Sequence, residues 1–192
     1  MKARLQMKAP LVPLLLAAAL PAGAAPEVFD LDPAHSFVQF EVSHFDTSTL
    51  RGRFGPLHGE VLMDAAAGRG RVGLVIAMQT LDTGWKLLDA RLRKPDLLDV
   101  EGHPDAYFVA ERWRFADGRP VEVTGEFTLR GSSVPLTLRA LRFGCNGDTP
   151  RRCGGDFVGE LLRSSFGATF GLPLVGDKVT LRVQVEGLQR LR

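Results

Sequence analysis

Between Ser36 and Leu188 the chain runs through eight short segments in which apolar and polar residues alternate. This period of two constrains the fold more than any other feature, because it marks strands with one apolar face and one wet face. The segments are Ser36 to Phe45, Leu57 to Asp64, Arg71 to Met78, Ala106 to Arg114, Val121 to Arg130, Val134 to Phe143, Asp156 to Leu162 and Val179 to Gly187. In the first, Val38, Phe40 and Val42 share one face with Gln39, Glu41 and Ser43 on the other; in the third, Val72, Leu74, Ile76 and Met78 line up. The remaining sequence holds too little helix to cover so much apolar sheet. The sheet must therefore close on itself as an antiparallel barrel or fold over as a sandwich. A closed barrel of about eight strands has room for one small ligand or for its own side chains.

The first residues read as a cleavable export signal spanning 1–24. Lys2, Arg4 and Lys8 form a basic start, Leu11 to Leu20 an apolar stretch, and Ala22-Gly23-Ala24 a small-residue cleavage site. Residues 25–192 are then one domain, in the periplasm or secreted. No Cys follows the cleavage site to carry a lipid anchor, and no later run has the length of a transmembrane helix. Removing the leader's three basic residues from the chain's 24 leaves 21 against 22 acids, which withdraws support for nucleic-acid binding. Cys145 and Cys153 both fall in the polar stretch from Gly144 to Asp156. In an oxidising compartment this even pair reads as a structural disulfide, and its spacing is not that of a C-x-x-C redox motif.

One helical interruption is expected, from Asp82 to Gly102. Asp82 or Thr83 can cap it, Trp85, Leu88 and Leu92 fall on one face, and Pro95 ends it or starts a second short turn through Leu97-Leu98. A short amphipathic helix in a barrel sequence covers one open end. Arg91, Arg93 and Lys94 suit either an anionic head group at the mouth or a solvated helix face. Arg163 continues an apolar strand face and needs a partner there: Asp89, Asp82 or a ligand phosphate. The four histidines show no metal-ligand spacing, so no metal is expected. His44, on the apolar face, suits either a head-group contact or a satisfied core position. Asp32, His35 and Ser36 have the residue types of a hydrolase triad, but neighbours on a strand point apart and no G-x-S-x-G elbow exists. A turn bonding its own backbone explains them better, and no enzyme activity is expected.

Several segments, in order, resemble the YceI-like family of exported polyisoprenoid-binding, lipocalin-like proteins. They are Leu31-Asp-Pro-Ala-His-Ser-Phe-Val-Gln-Phe40 with His44, Gly52-Arg-Phe54, Gly59-Glu-Val61 with Asp64, Leu81-Asp-Thr-Gly84, and Asp89, Leu92 and Asp99 through His103-Pro104. Gly125-Glu-Phe-Thr-Leu-Arg-Gly131, Arg163-Ser-Ser-Phe-Gly167 and Val175-Gly-Asp-Lys-Val179 complete the set. The resemblance implies an all-β fold: an extended antiparallel eight-stranded lipocalin-like barrel with a short capping helix. It also implies a long apolar lumen for a polyisoprenoid chain or isoprenoid quinone, and no cofactor. The candidate lumen residues are Val38, Phe40, Val42, His44, Val72, Leu74, Ile76, Phe127, Leu129, Leu181 and Val183, with Val123 on the same inward face. Asp89, Arg91 and Arg163 are the candidate head-group rim. Where the family has an Arg-Asp-x-His-Leu run and a phenylalanine pair, this chain has Leu88-Asp-Ala-Arg-Leu92 and Leu97-Leu98. If this segment lines the mouth, the change bears on head-group preference. Alternation alone does not separate an open lumen from a filled one. The competing reading is an exported, stress-related structural protein whose barrel is packed with its own side chains. A homodimer is compatible with an extended barrel, though nothing in the sequence requires it.

Overall fold

The alternating runs pair edge to edge until the last meets the first. The structure, a computed structural model, describes residues 25–191, so the segment read as an export signal lies outside the described residues. The strands are β1 (Glu27–Leu31), β2 (Phe37–His44), β3 (Ser48–Phe54), β4 (Leu57–Asp64), β5 (Arg69–Ala77), β6 (Asp105–Ala116), β7 (Arg119–Leu129), β8 (Ser132–Asn146), β9 (Arg152–Leu162) and β10 (Val175–Gln189). One α-helix, α1 (Lys86–Leu92), lies between β5 and β6. Consecutive strands from β4 to β10 are antiparallel neighbours.

The ring closes through two bent strands. β10 pairs with β1 at one end (Leu31 opposite Gly187) and with β2 at the other (Val38 opposite Val183, Val42 opposite Val179). β1 and β2 thus occupy one strand position, bent at Asp32–Ser36. β4 pairs with β1 and β3 with β2, so β3 and β4 form a second bent strand, turning at Gly55-Pro56. There the Leu57 amide donates to the Ser36 carbonyl at 2.9 Å. Counted this way, the barrel has eight antiparallel strands in simple up-and-down order, as the sequence reading expects.

That reading locates only half of each bent strand. β1 is five residues long, too short to show a period. β3 is Ser-Thr-Leu-Arg-Gly-Arg-Phe, whose only large inward side chains are Leu50 and Phe54. Between them Gly52 leaves room for a neighbour, since a Cβ there would stand 2.5 Å from the Phe40 ring. The helical interruption is also shorter than expected. A 3-10 turn at Met78–Thr80 and the seven residues of α1 are its regular parts. Trp85 is not on the Leu88–Leu92 face. It is the N-cap residue in an extended conformation (φ −128°, ψ 103°) and is largely exposed.

Asp82 and Arg53 exchange backbone hydrogen bonds at 2.9 and 3.0 Å, and Met78 donates to the Pro104 carbonyl at 2.8 Å. These ties fix the helical segment between β3 and β6 and cover that end of the barrel. The other end carries the β8–β9 hairpin, where Cys145 and Cys153 face each other in register and form a disulfide. One core cluster runs from Leu31 and Val38 to Phe166 and Val183. Phe29, Met63 and Cys153 form a smaller one beside the disulfide.

Candidate functional site

The inward side chains do not fill the barrel. They leave two separate chambers with no lining residue in common. The larger, about 240 Å³, lies at the helix-covered end. β2 contributes Val38, Phe40, Val42 and His44; Ile76, Phe127, Leu129 and Leu181 come from β5, β7 and β10. α1 adds Leu88, Arg91 and Leu92, and the chain after it adds Leu97 and Leu98. The smaller chamber, about 70 Å³, lies towards the disulfide and is lined by Val72, Leu74, Val123 and Val183 together with Phe29, Leu31, Phe157 and Cys153. All eleven candidate lumen residues therefore face a cavity, but they belong to two.

The partition is one side-chain layer thick. Along β5, Leu74 faces the small chamber and Ile76 the large one; along β10, Val183 and Leu181 divide in the same way. Leu136 lines neither chamber and sits opposite Gly125, between Val123 of one chamber and Phe127 of the other. Among the described residues, only one lining side chain of the small chamber carries a nitrogen or oxygen. That atom, Trp113 Nε1, is buried with no hydrogen-bond partner among them.

Among the described residues, the large chamber has three polar side chains, His44, Arg91 and Arg163, and no carboxylate. The ring of His44 meets that of Phe45 edge-on at 4.5 Å and makes no hydrogen bond among the described residues. Arg91 is held in a fork by Asp96, at 2.7 and 2.6 Å, and its guanidinium lies 4.1 Å from the centre of the Phe170 ring. The pairing with Asp96 raises the Arg91 pKa and lowers that of Asp96.

Arg163 has neither an ion-pair partner among the carboxylates expected for it nor a free fork. It donates to the backbone carbonyls of Gly176 (2.8 Å), Phe170 (2.9 Å), Val175 (2.8 Å) and Ala168. Burial lowers its pKa, with Asp177 opposing. Asp177 accepts from the Ser164 amide at 2.8 Å and its hydroxyl at 2.7 Å, bonds that hold its carboxyl below the usual range. Arg163 therefore organises residues 168–176 as a strap across the mouth, and Ala168, Phe170 and Val175 of this strap line the chamber.

Asp89 is not on the rim. It is 0% exposed and lines neither chamber. Its carboxylate accepts from the Thr83 amide and hydroxyl, both at 2.8 Å, with Lys86 at 3.4 Å. The Thr83 bonds keep its pKa low. A buried carboxylate needs such partners, and these tie the start of α1 to the segment before it. Arg93 is likewise engaged with the backbone, donating to the Gln79 and Leu81 carbonyls at 3.1 and 2.7 Å.

Asp32, His35 and Glu186 bring ligand-type atoms within 4.8 Å of one another. The position between them is taken by Arg152, whose Nη1 is 2.7 Å from Asp32 and 3.0 Å from Glu186. Arg152 first, and then His35, hold the Asp32 carboxyl down at about 2. Ser36 turns away from His35 and exchanges hydrogen bonds with the Glu186 backbone, at 3.2 Å as donor and 3.1 Å as acceptor. Asp32 accepts from the Ala34 amide at 3.0 Å, which closes the turn at the bend between β1 and β2.

Residues 29–187 match the model of the YceI-like domain. A UPF0312 protein of Enterobacter sp. (strain 638) is 32% identical over 171 residues, covering 87% of this chain and 88% of its own. Protein YceI of Escherichia coli O157:H7 is 30% identical over 171 residues with the same coverage. Among solved structures, Burkholderia cenocepacia BcnA superimposes with a TM-score of 0.70 at 24% identity, over 82% of this chain and 99% of that one. A polyisoprenoid binding domain from Saccharophagus degradans gives a TM-score of 0.59 at 16% identity, over 84% and 98%. These two likenesses concern the fold.

Proposed function

The chain belongs to the YceI-like family, and from that premise we propose that it is an exported lipid-binding protein holding a polyisoprenoid chain or isoprenoid quinone tail in its lumen. Its role is transport, storage or sequestration of that lipid across an aqueous gap. The observation that carries the reading is the large chamber, an unfilled apolar cavity of about 240 Å³ opening beneath Arg91 and the strap. A barrel packed with its own side chains has no use for such a space. The similarity in fold to a polyisoprenoid binding domain supports the ligand class. Export accords with the leader read at residues 1–24 and with the disulfide, a bond that persists in oxidising compartments. A binding role fits the polar groups of the lumen: Arg163 is engaged by carbonyls, Arg91 by Asp96, and the His44 ring has no hydrogen-bonded partner among the described residues.

The energetics of such a ligand are those of apolar burial, about 0.8 kcal/mol for each CH₂ removed from water. On the scale of a roughly 150 Å³ cavity that accommodates benzene, the large chamber takes about ten carbons, or two isoprene units. A longer tail reaches the small chamber only if the layer at Leu136 moves aside. The test is a series of prenyl alcohols from one to eight isoprene units, titrated into the mature protein. The reading predicts affinity rising steeply over the first two units. Affinity independent of tail length, or no binding at all, would overturn it.

A further inference from the structure

The mouth of the large chamber is surrounded by apolar side chains that the barrel does not cover. Leu87 is 72% exposed, Trp85 60%, Leu174 58%, Phe170 56% and Phe45 51%. They come from three segments that meet at the opening. The Phe45 amide, in the β2–β3 turn, donates to the Leu174 carbonyl of the strap at 2.7 Å, and the Phe45 ring packs on His44, which lines the chamber. Phe170 of the strap both lines the chamber and covers Arg91. On α1, Leu87 stands one turn before Arg91 and next to the lining residue Leu88, with Trp85 two residues earlier. Large apolar side chains grouped on a surface mark a place of contact.

We propose that this collar docks on the surface of a bilayer containing anionic phospholipid, with the chamber mouth facing the membrane. The inference rests on the reading that the lumen takes a lipid. An isoprenoid tail leaving a bilayer for a chamber whose mouth opened into water would expose its whole length. A mouth seated in the head-group layer removes that step. The collar has the composition such seating requires, aromatic and aliphatic side chains backed by cations. From Trp85 to Asp96 the cations are Lys86, Arg91, Arg93 and Lys94, and the acids are Asp89 and Asp96. Asp96 neutralises Arg91 and Asp89 lies against Lys86, so the surplus cations of this segment are Arg93 and Lys94, a positive balance although the chain without its leader is close to neutral. Cations beside an apolar patch match the phosphates of an anionic bilayer.

The experiment uses the mature protein with vesicles of phosphatidylcholine alone and of phosphatidylcholine with a quarter phosphatidylglycerol. The protein is expected to co-sediment with the anionic vesicles, at least tenfold less at 1 M salt. Vesicles carrying brominated phosphatidylcholine should quench tryptophan emission, and Trp85→Phe should remove that quenching, because Trp113 lies inside the small chamber. The double variant Leu87→Ser/Leu174→Ser changes two exposed positions that line neither chamber. It should lose at least tenfold in vesicle binding while keeping its melting temperature and its uptake of a detergent-delivered prenyl alcohol. Failure of the unchanged protein to take up that alcohol would overturn the lumen reading. Uptake with no vesicle binding, vesicle binding untouched by the double variant, or quenching that survives in Trp85→Phe would overturn the docking proposal alone. A dimer that the double variant converts to monomer would assign the collar to a second copy of the chain and would also overturn it.

Discussion

Ala106→Leu separates a ligand chamber from a packed core by the sign of its effect on stability. Ala106 is 1% exposed, lies on the inward face of β6 opposite Ile76, and lines the large chamber. Leucine adds three carbons, about 75 Å³ on the scale of 25 Å³ per carbon set by a benzene-sized cavity. Filling an apolar cavity recovers about 24 cal/mol for each Å³, so the empty protein should gain about 2 kcal/mol. In a core without space the same change is overpacking, which costs about 1–3 kcal/mol. The ligand should respond in the opposite direction. Three carbons' worth of burial at about 0.8 kcal/mol each is roughly 2.4 kcal/mol, a loss of about fiftyfold in affinity. Urea unfolding of the ligand-free protein and titration with a prenyl alcohol of two isoprene units measure the two effects. A destabilised variant, or one that binds as tightly as before, would refute the reasoning.

Arg163→Lys should leave the barrel folded but release the strap, because a lysine cannot reach four carbonyls from one fork. Amides of residues 168–176 should exchange faster and a bound ligand should leave faster; unchanged exchange would show that the strap is held by other means. Reduction of Cys145–Cys153, or replacement of both by serine, should cost about 2–3 kcal/mol, or roughly 5–10 °C in melting temperature for a domain of this size. An unchanged melting temperature would contradict that. Asp32, held at about 2 against an ordinary 3.8, adds stability that is complete above the higher value and is lost as pH falls towards the lower. The stability difference between the unchanged protein and Asp32→Asn should therefore shrink as pH falls from about 4 to about 2, read from urea midpoints. A difference as large at pH 2 as at pH 6 would rule out Asp32 as its source.

What was legible in the sequence was what a half-buried strand imposes on its neighbours. β5, β7 and β10 show their period because one face meets a cavity or core and the other meets water. β3 hides its period, since Arg51 and Arg53 flank a glycine that leaves room for Phe40. Trp85 has the spacing of the Leu88–Leu92 face, yet spacing defines a face only within a helix, and the helix begins at Lys86. Asp89 and Arg163 look alike in sequence, each a charge in an apolar setting. One satisfies Thr83 and the other four carbonyls of a strap about ten residues away, and neither partner set leaves a periodic trace. The division of the lumen was not legible either. Alternation orders side chains on a face but does not say whether the space they face is closed, as at the buried Leu136, or open, as at Leu129.

The most direct measurement is native mass spectrometry of the mature protein purified from its own host, followed by organic extraction and identification of whatever is released. The account predicts a complex of one protein with one lipid, and an extract with the mass increments of an isoprene-repeat chain. A protein of bare polypeptide mass that takes up neither added polyprenyl lipid nor quinone would contradict it.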